Sequence, residues 1–417
     1  MLTRRELIAR GAGLAGLAVL GCGDNHSDRD LAVAVVEPTT DAVMVAVWAR
    51  NGGTVAIEIA DPAGTSEVSL ELSSTGTGAI DLVGLTPGTR YEITVRAGGL
   101  RAGPYAAITA PANDDARPVK LAIVADLDPN PDFETDLVDH LVAAAPDLVI
   151  GLGDLPYCDN GPELAKTPDA YRNVHAEARS HPRFRPMFEA APLRAIYDDH
   201  EFRNDWDAGF VAAEPDRYRA AVDVWDEFFP VRGATGEVRY RSWRWGANAE
   251  CFLLDCRRFR SANDDPDGPA KTLLGAAQLA WLLDAVAAST ATFKLVLTSV
   301  PLDFSNTNDA WSSFPFERRQ LLDGLRGIRG LVVISADQHW FAAHVHDHGI
   351  REFQFGPLAR DTRDPGPAAP GVLARAVDFN FGLIEIAGDT IAISAIGPGG
   401  APLFATTLTA DELTPST

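Results

Sequence analysis

Four apolar runs of this sequence each end in a short segment rich in carboxylate, phenol or imidazole side chains. The segments are 126–128 after the run 120–124, 153–157 after 148–150, 198–201 after 193–196, and 337–339 after 331–334. The carboxyl ends of buried parallel strands meet at one edge of a sheet, so these segments are expected to lie together. Oxygen and imidazole donors converging at such an edge predict a metal centre in a layered α/β fold, with metal-assisted hydrolysis as its chemistry.

The spacing within the first two segments indicates individual ligands. Gly153 allows the chain to turn sharply, which makes Asp154 the natural carboxylate to bridge two ions, and Tyr157 lies near enough to reach one of them. Asp126 and Asp128 are two residues apart at a strand end and are predicted to face the same side. A phenolate is a hard, anionic ligand, so Tyr157 favours Fe³⁺ over Zn²⁺.

The other two segments add two imidazoles. His339 follows Asp337 by two residues, so that the carboxylate and the imidazole can be offered to different ions. His200 follows Asp199, and an imidazole beside a phosphate group is suited to protonating the departing oxygen. Two adjacent cations would shield the anionic oxygens of a phosphate ester and supply a deprotonated water. The four segments together therefore predict hydrolysis of phosphate esters.

The overall charge restricts the partners of the protein. The 417 residues carry a formal net charge of −22, and no basic stripe interrupts the sequence. Because nucleic-acid-binding surfaces are basic, nucleic acid is not expected as a binding partner, although it could be hydrolysed as a substrate. An acidic protein also repels anionic substrates, so phosphate chemistry would need local cations. The candidates are bound metals and the arginines Arg232, Arg241, Arg257 and Arg258.

The first residues have the pattern of a targeting signal. Residues 1–22 combine an arginine pair, a short apolar stretch and a lipobox-like Gly21-Cys22, and residues 23–30 follow as a short tether. The apolar stretch is too short to remain as a membrane-spanning helix. We expect export by the twin-arginine pathway and a lipid anchor on Cys22, which would place the protein at a membrane, facing the periplasm or the cell exterior.

The remainder of the sequence divides into two regions. Residues 31–112 contain short alternating β runs separated by turn residues, which predict a small antiparallel sandwich, and 82–91 is similar to a turn of fibronectin type III modules. Residues 111–118 form a polar, proline-containing linker. In 119–410 strands alternate with helices, which indicates a sheet covered on both faces.

Several other reactive side chains are assigned structural roles. His344, His346 and His348 alternate in a spacing that also occurs on solvated hairpins, so the sequence favours a position at the site rim or on the surface over ligation. Cys158, Cys251 and Cys256 form an odd set once Cys22 is lipidated, which argues against a disulfide framework. Cys251 and Cys256 are predicted to be small buried side chains, and Cys158 is not expected to be a ligand.

The chemically rich segments, taken in order, resemble the metallophosphatase (calcineurin-like) superfamily and, within it, the PhoD-like alkaline phosphatase/phosphodiesterase family. The resemblance covers nearly all of the sequence after the signal. The matching blocks are a GD-x-x-Y motif at 153–157, a DDHE motif at 198–201, and the segments 225–232, 240–241, 254–260, 274–282, 309–318 and 336–339.

The resemblance implies a four-layer αββα core preceded by a sandwich domain. It also implies the ligand set Asp126, Asp154, Tyr157, Asp199, Asp337 and His339. His200 would be the proton donor and Arg232 a phosphate clamp, and iron together with calcium would occupy the site. Arg257, one of the arginines named above as local cations, is expected to bind the substrate as well. Asp128 stands where other metallophosphatases have a histidine, and 298–301 lacks one as well. These oxygen-rich changes favour Fe³⁺ with Ca²⁺ over Zn²⁺ or Mn²⁺.

Two functions remain in competition on the sequence. The first is an exported, metal-dependent phosphoesterase that acts on small-molecule phosphate monoesters, diesters or both. The second is a catalytically degenerate cell-surface binding or scaffold lipoprotein that keeps a metallophosphatase core. The altered segment 126–128 supports the second function, whereas the retention of His200 supports the first.

Overall fold

The computed structural model describes residues 30–61, 64–160, 164–234, 236–303 and 309–416. The predicted targeting signal, with Cys22 and most of the tether, lies outside these residues. Within them, no helix combines the length and apolar character needed to cross a membrane.

The described residues form strands and helices in the order predicted for a β-rich region followed by an α/β region. The strands are β1 (Leu31–Val36), β2 (Ala42–Ala49), β3 (Thr54–Asp61), β4 (Gly64–Glu71), β5 (Thr77–Val83), β6 (Arg90–Ala97), β7 (Leu100–Ile108), β8 (Val119–Val124), β9 (Leu148–Leu152), β10 (Leu193–Ile196), β11 (Arg241–Trp245), β12 (Ala249–Leu253), β13 (Phe293–Leu297), β14 (Leu331–Ser335), β15 (Phe341–Val345), β16 (Arg351–Gln354), β17 (Val372–Ala376), β18 (Phe381–Ala387), β19 (Thr390–Ile396) and β20 (Pro402–Thr409). The helices are α1 (Leu137–Ala144), α2 (Pro168–Ser180), α3 (Arg185–Ala190), α4 (Ala208–Ala213), α5 (Pro215–Phe228), α6 (Ala276–Ala288) and α7 (Pro315–Gly324).

Two large sheets form the core. One has the order β20-β19-β18-β8-β9-β10-β1-β2-β5 and the other the order β11-β12-β13-β14-β16-β15-β17. In the first sheet β8, β9 and β10 are parallel, with Val124 opposite Gly151 and Ile196 opposite Leu152. In the second sheet β12, β13, β14 and β16 are parallel. The carboxyl ends of neighbouring strands are therefore level, which positions the segments that follow them side by side.

Alternation along the central strands of the second sheet shows how the layers pack. Leu295 and Leu297 of β13 belong to the core cluster shared with the first sheet, whereas Val296 packs in a second cluster with α6 and α7. A strand places successive side chains on opposite faces, so one face of this sheet meets the other sheet and the opposite face meets helices. On the first sheet, Leu137 and Leu141 of α1 join the core cluster. The predicted αββα order is confirmed.

The N-terminal sandwich is built into the core sheet. Strands β1, β2 and β5 form one of its faces and a separate sheet, β4-β3-β6-β7, forms the other. β1 is buried along its whole length because it lies between β7 and α2, and it pairs in parallel with β10, with Val36 opposite Leu193. The nine-stranded sheet therefore contains strands from both sides of the segment 111–118.

Candidate metal centre

The backbone at the predicted ligands is turned into an unusual conformation. Asp126, Asp154, Asp337 and His339 have φ angles of 57°, 58°, 77° and 63°, in the left-handed region that non-glycine residues rarely adopt. Such a conformation costs about 1–3 kcal/mol per residue and persists where the surrounding structure requires it. All four residues directly follow core strands, so the turns direct their side chains into the crevice at the strand ends.

Two glycines allow the close approach of these turns. At Gly153, with φ of 104°, a β-carbon would overlap the backbone and Cβ of Asp198. At Gly356, with φ of 103°, a β-carbon would occupy the place of the Asp126 carboxylate. Both positions therefore require glycine for conformation and for space.

The first donor group contains Asp126, Asp154 and His339, whose ligand atoms lie within 4.8 Å of one another. The Tyr157 hydroxyl is 3.0 Å from His339 Nε2, which is 3.7 Å from Asp126 Oδ1. His339 Nδ1 is 2.6 Å from the carbonyl oxygen of Asp361, which can only accept. Nδ1 therefore carries the proton, so the lone pair of Nε2 faces the other donors, as in metal-ligating histidines.

The second donor group contains Asp154, Asp199 and His200, again within 4.8 Å of one another. Asp154 belongs to both groups, which is the position expected for a bridging carboxylate. One of its oxygens accepts the His200 backbone N–H at 3.2 Å, and one oxygen of Asp199 accepts the Asp205 backbone N–H at 2.7 Å. These backbone bonds hold the carboxylates in place and leave their other oxygens toward the crevice.

Several of the buried donor atoms accept no hydrogen bond from the part of the protein that the structure describes. Both carboxylate oxygens of Asp126, Oδ2 of Asp154 and Oδ1 of Asp199 accept no hydrogen bond from any described residue. Burial raises the pKa of Asp126 to about 7, and burial followed by neighbouring carboxylates raises the pKa of Asp154 and of Tyr157 well above their ordinary ranges. Buried anions of this kind are stable only when paired or bound to metal. The residues therefore fit hard cations.

His200 differs from His339 in its electrostatic environment. Its Nδ1 is 2.7 Å from Asp159 Oδ1, and its ring stacks against Tyr157 with a centroid separation of 4.2 Å. Burial opposes the charged imidazole, but the carboxylates of Asp199 and Asp159 outweigh it and raise the pKa of His200 to about 9. The raised pKa favours the protonated imidazole, which suits proton donation.

The buried carboxylate of Glu201 joins two of the loops that carry the ligands. Glu201 Oε1 accepts the Leu155 backbone N–H at 2.8 Å, and its Oε2 accepts the Asp198 backbone N–H at 3.0 Å. The side chain thereby ties the segment after β9 to the segment after β10. Glu201 and Asp159 were not identified from the sequence, because their partners belong to other loops.

The environment of Arg257 differs from the substrate-binding role predicted for it. Its side chain is 0% exposed, and Nε and Nη2 donate to the two oxygens of Asp198 at 2.8 and 2.9 Å, while its other donor contacts include Asp309. An arginine enclosed by two carboxylates has no exposed donor for a substrate. Arg257 is therefore an internal counter-ion beneath the site, and the predicted substrate-binding role is wrong.

Asp337 lies in a third carboxylate group. Its ligand atom is within 4.8 Å of Asp198 and Asp309, the two partners of Arg257, and it accepts a hydrogen bond from Gln338. Burial and the charges of Asp198 and Asp199 raise its pKa well above the ordinary range. The structure thus places this predicted ligand beside the two donor groups, next to the carboxylates that Arg257 neutralises.

Asp128 and Arg232 do not join the centre. Asp128 accepts the Asn130 backbone N–H at 2.9 Å and the Asn160 side-chain amide at 3.1 Å, and it belongs to neither donor group. The left-handed turn at Asp126 removes the same-side relation that a straight strand would have imposed. Arg232 pairs with Asp81 of β5 and donates to the Glu37 carbonyl. These residues lie where the sandwich meets the rest of the core sheet, a region called the sandwich junction below. The phosphate-clamp prediction is therefore also corrected.

The positions predicted for the alternating histidines after β14 are partly wrong. His344 and His346 have buried side chains and contact Glu352, at 3.4 Å and 2.6 Å, so the surface reading is wrong for both. His348 is partly exposed and pairs with Asp323 at 3.0 Å, as expected for a surface residue. The free cysteines of the described residues are buried, as predicted for Cys251 and Cys256.

The architecture has clear structural relatives. A structure of PhoD superposes with a TM-score of 0.80 at 19% identity, covering 93% of this chain and 92% of that chain. The purple acid phosphatase PPD1 from yellow lupin (Lupinus luteus) seeds superposes with a TM-score of 0.68 at 13% identity, covering 92% and 75%. The αββα core with paired donor groups at its strand ends therefore defines a metallophosphatase fold.

The family follows from the sequence comparison. A family model described as PhoD-like phosphatase matches residues 133–369, which is more than half of the chain. Alkaline phosphatase D of Bacillus subtilis (strain 168) is 26% identical over 258 residues, covering 50% of this chain. The match spans less than half of that relative's own length, 44%. The chain belongs to the PhoD-like phosphatase family.

Proposed function

We propose that the protein is a metal-dependent phosphoric ester hydrolase acting on small-molecule phosphate esters. The observation that carries the proposal is the pair of buried donor groups that share Asp154, the second of which includes His200. Family membership supports the same class of reaction. A cation pair bound to these groups would neutralise the ester oxygens and lower the pKa of an attacking water.

The protein's own residues supply proton transfer. The raised pKa of His200 favours its protonated form and Asp159 orients the ring, so His200 would donate a proton to the departing alkoxide. Asp159 is a positioning residue, because it holds Nδ1 of the ring and leaves Nε2 for the substrate. General acid catalysis of this kind contributes roughly 10²–10⁴-fold in rate.

We infer that the ions are Fe³⁺ and Ca²⁺, with Zn²⁺ or Mn²⁺ disfavoured. The donor set supports this because carboxylates and a phenol outnumber the single ligating imidazole of His339. Tyr157 would bind iron, so the purified protein should show a visible phenolate-to-iron absorption band. Elemental analysis and this spectrum test the assignment. A colourless protein that contains zinc alone would overturn it, as would an unchanged band in Tyr157→Phe.

The activity is tested with chromogenic phosphate mono- and diesters. We expect the metal-loaded protein to hydrolyse at least one of them, and Asp154→Asn and His200→Ala to lose that activity. Failure of the wild type with every metal tested would exclude the enzyme. It would favour the alternative, a degenerate cell-surface binding or scaffold protein, for which the replacement of a histidine by Asp128 remains the supporting feature.

We further propose that the protein is exported and anchored by a lipid on Cys22. The arginine pair at 4–5 and the lipobox-like sequence support this location. Fractionation of cells expressing the wild type and Cys22→Ser tests it. Recovery of both proteins in the same soluble fraction would contradict the anchor.

A further inference from the structure

One wall of the metal centre is formed by the segment after β16. Ala359 exchanges backbone hydrogen bonds with the first ligand loop, donating to the Asp126 carbonyl at 3.0 Å and accepting from the Asp128 N–H at 2.9 Å. Farther along, the Arg363 backbone N–H donates to the His339 carbonyl at 3.2 Å. The segment is therefore fastened to loops on both sides of the first donor group. It carries two arginines, Arg360 and Arg363, for which the sequence predicted no role.

Arg360 is committed to the protein. It pairs with Asp361 at 2.9 Å, and its guanidinium lies 4.7 Å from the ring centroid of Phe133 and 4.9 Å from that of Tyr157. Contacts with two rings together with an ion pair leave few directions for a substrate. This arginine is suited to holding the Tyr157 ring in position.

Arg363 has a different environment. Among the residues that the structure describes, its side chain forms no ion pair, although it is half-buried. Burial lowers the pKa of Arg363, but Asp337, Tyr157 and Asp126 outweigh it and raise that pKa above the ordinary range. After burial, Arg363 is also the strongest influence on the pKa of Asp126 and of His339. The backbone hydrogen bond to His339 places Arg363 next to the first donor group, and no described residue pairs with its guanidinium.

We propose that Arg363 binds the phosphoryl group of the substrate and selects phosphate monoesters over diesters. The inference rests on the proposed function and adds a substrate class to it. A bidentate guanidinium matches two oxygens of a phosphate, whereas Arg232 and Arg257, which the sequence favoured for substrate binding, pair with carboxylates of the protein.

The selection follows from the number of terminal oxygens. A monoester dianion has three terminal oxygens and two negative charges, whereas a diester monoanion has two oxygens and one charge. A cation in addition to the metal centre therefore gains more from the monoester. Removing it leaves a charged oxygen of the monoester without a partner, and a hydrogen bond to a charged group contributes about 1.5–3 kcal/mol.

The experiment compares Arg363→Gln and Arg363→Lys with Arg232→Gln in the metal-loaded protein. For Arg363→Gln we expect kcat/KM to fall about 10- to 100-fold for a chromogenic monoester and by less than about 3-fold for the matching diester. Arg363→Lys should recover part of the loss. Arg232→Gln, at the sandwich junction, should leave the ratio of the two substrates unchanged.

A binding measurement separates this inference from the proposed function. Inorganic phosphate should raise the melting temperature of the loaded wild type and of Arg232→Gln, and it should raise that of Arg363→Gln much less. Equal loss of both esters in Arg363→Gln, or an unchanged response to phosphate, would overturn the role of Arg363 while leaving the hydrolase intact. A wild type that binds phosphate through Arg363 but cleaves neither ester would refute the proposed function and support the binding site.

Discussion

The metal centre and the sandwich junction both bury carboxylates, but the two regions differ in how the negative charge is neutralised. At the junction Glu37 is almost fully buried and pairs with Arg194 at 2.8 Å and Arg241 at 2.6 Å. Burial alone would raise the pKa of Glu37, yet these two guanidinium groups outweigh it and lower the pKa. At the centre the balance is reversed for Asp126 and Asp154, whose pKa values are raised, whereas burial of Asp199 is outweighed by Arg257 and His200, which lower its pKa.

The difference separates structural from functional buried charge. At the junction the protein supplies its own counter-ions, so the charges are neutralised as soon as the chain folds. Glu352 belongs to the same type, because it accepts from Ser335 Oγ at 2.5 Å, from the Leu302 N–H at 3.0 Å and from His346 Nε2 at 2.6 Å. At the centre the chain leaves oxygens without partners, and a ligand from outside must complete the site.

The largest effect should come from removing the shared carboxylate. Asp154→Asn deletes a charge from both donor groups, so we expect loss of metal and of all hydrolysis above background. The same substitution should stabilise the metal-free protein, because the wild-type carboxylate is buried among like charges. Metal content, activity and urea unfolding of the metal-free forms measure these outcomes. Asp128→Asn is the matched control, with metal content and activity close to those of the wild type.

The imidazole of His200 and the carboxylate of Asp159 that orients it should affect catalysis in different ways. His200→Ala should lower kcat by roughly 10²–10⁴-fold. Asp159→Asn keeps the imidazole but removes a carboxylate that raises its pKa, so the acid form would be lost at lower pH. We expect the alkaline limb of the pH–rate profile to move to lower pH, with a smaller loss below it. An unchanged limb would exclude His200 as the acid.

The sequence predicts the parts of the site that depend on local pattern. A buried run followed by a carboxylate or histidine is sufficient to place Asp126, Asp154 and His339 at strand ends, because parallel strands align their carboxyl ends. Arg232 could not be placed in this way, since its partners are Asp81 and the Glu37 carbonyl, 151 and 195 residues away. An arginine's role depends on which distant element lies opposite it.

Backbone conformation is the second limit on prediction from sequence. The spacing of Asp126 and Asp128 places both on one side only if the strand continues, and the left-handed turn at Asp126 ends it. The hydrogen bond from His339 to the carbonyl of Asp361 cannot be predicted from the sequence, because a residue of any type offers the same backbone oxygen. Contacts made through the main chain require the fold itself.

At the junction the expected effect is on stability alone. Glu37→Gln leaves Arg194 and Arg241 buried without a full counter-charge, which should lower the free energy of unfolding by about 3–5 kcal/mol. kcat/KM of the folded fraction should be unchanged. As control, Glu58→Gln breaks the exposed pair with Arg96 and should cost no more than about 1 kcal/mol. A junction variant as stable as the control would remove the contrast between the two regions.

The smallest effect is a dependence of stability on pH that only the metal-free protein should show. The pKa of Asp126 is raised to about 7 in the folded chain, so its protonated form is favoured by folding. Its contribution is complete below the unfolded pKa near 4 and is lost as the pH rises through about 7. Urea unfolding of metal-free Asp126→Asn should therefore have a weaker decline with pH than the wild type, whereas Asp128→Asn should keep the decline. Bound cations hold the carboxylate ionised, so the loaded wild type should lack this component, and its persistence there would mean that Asp126 is not a ligand.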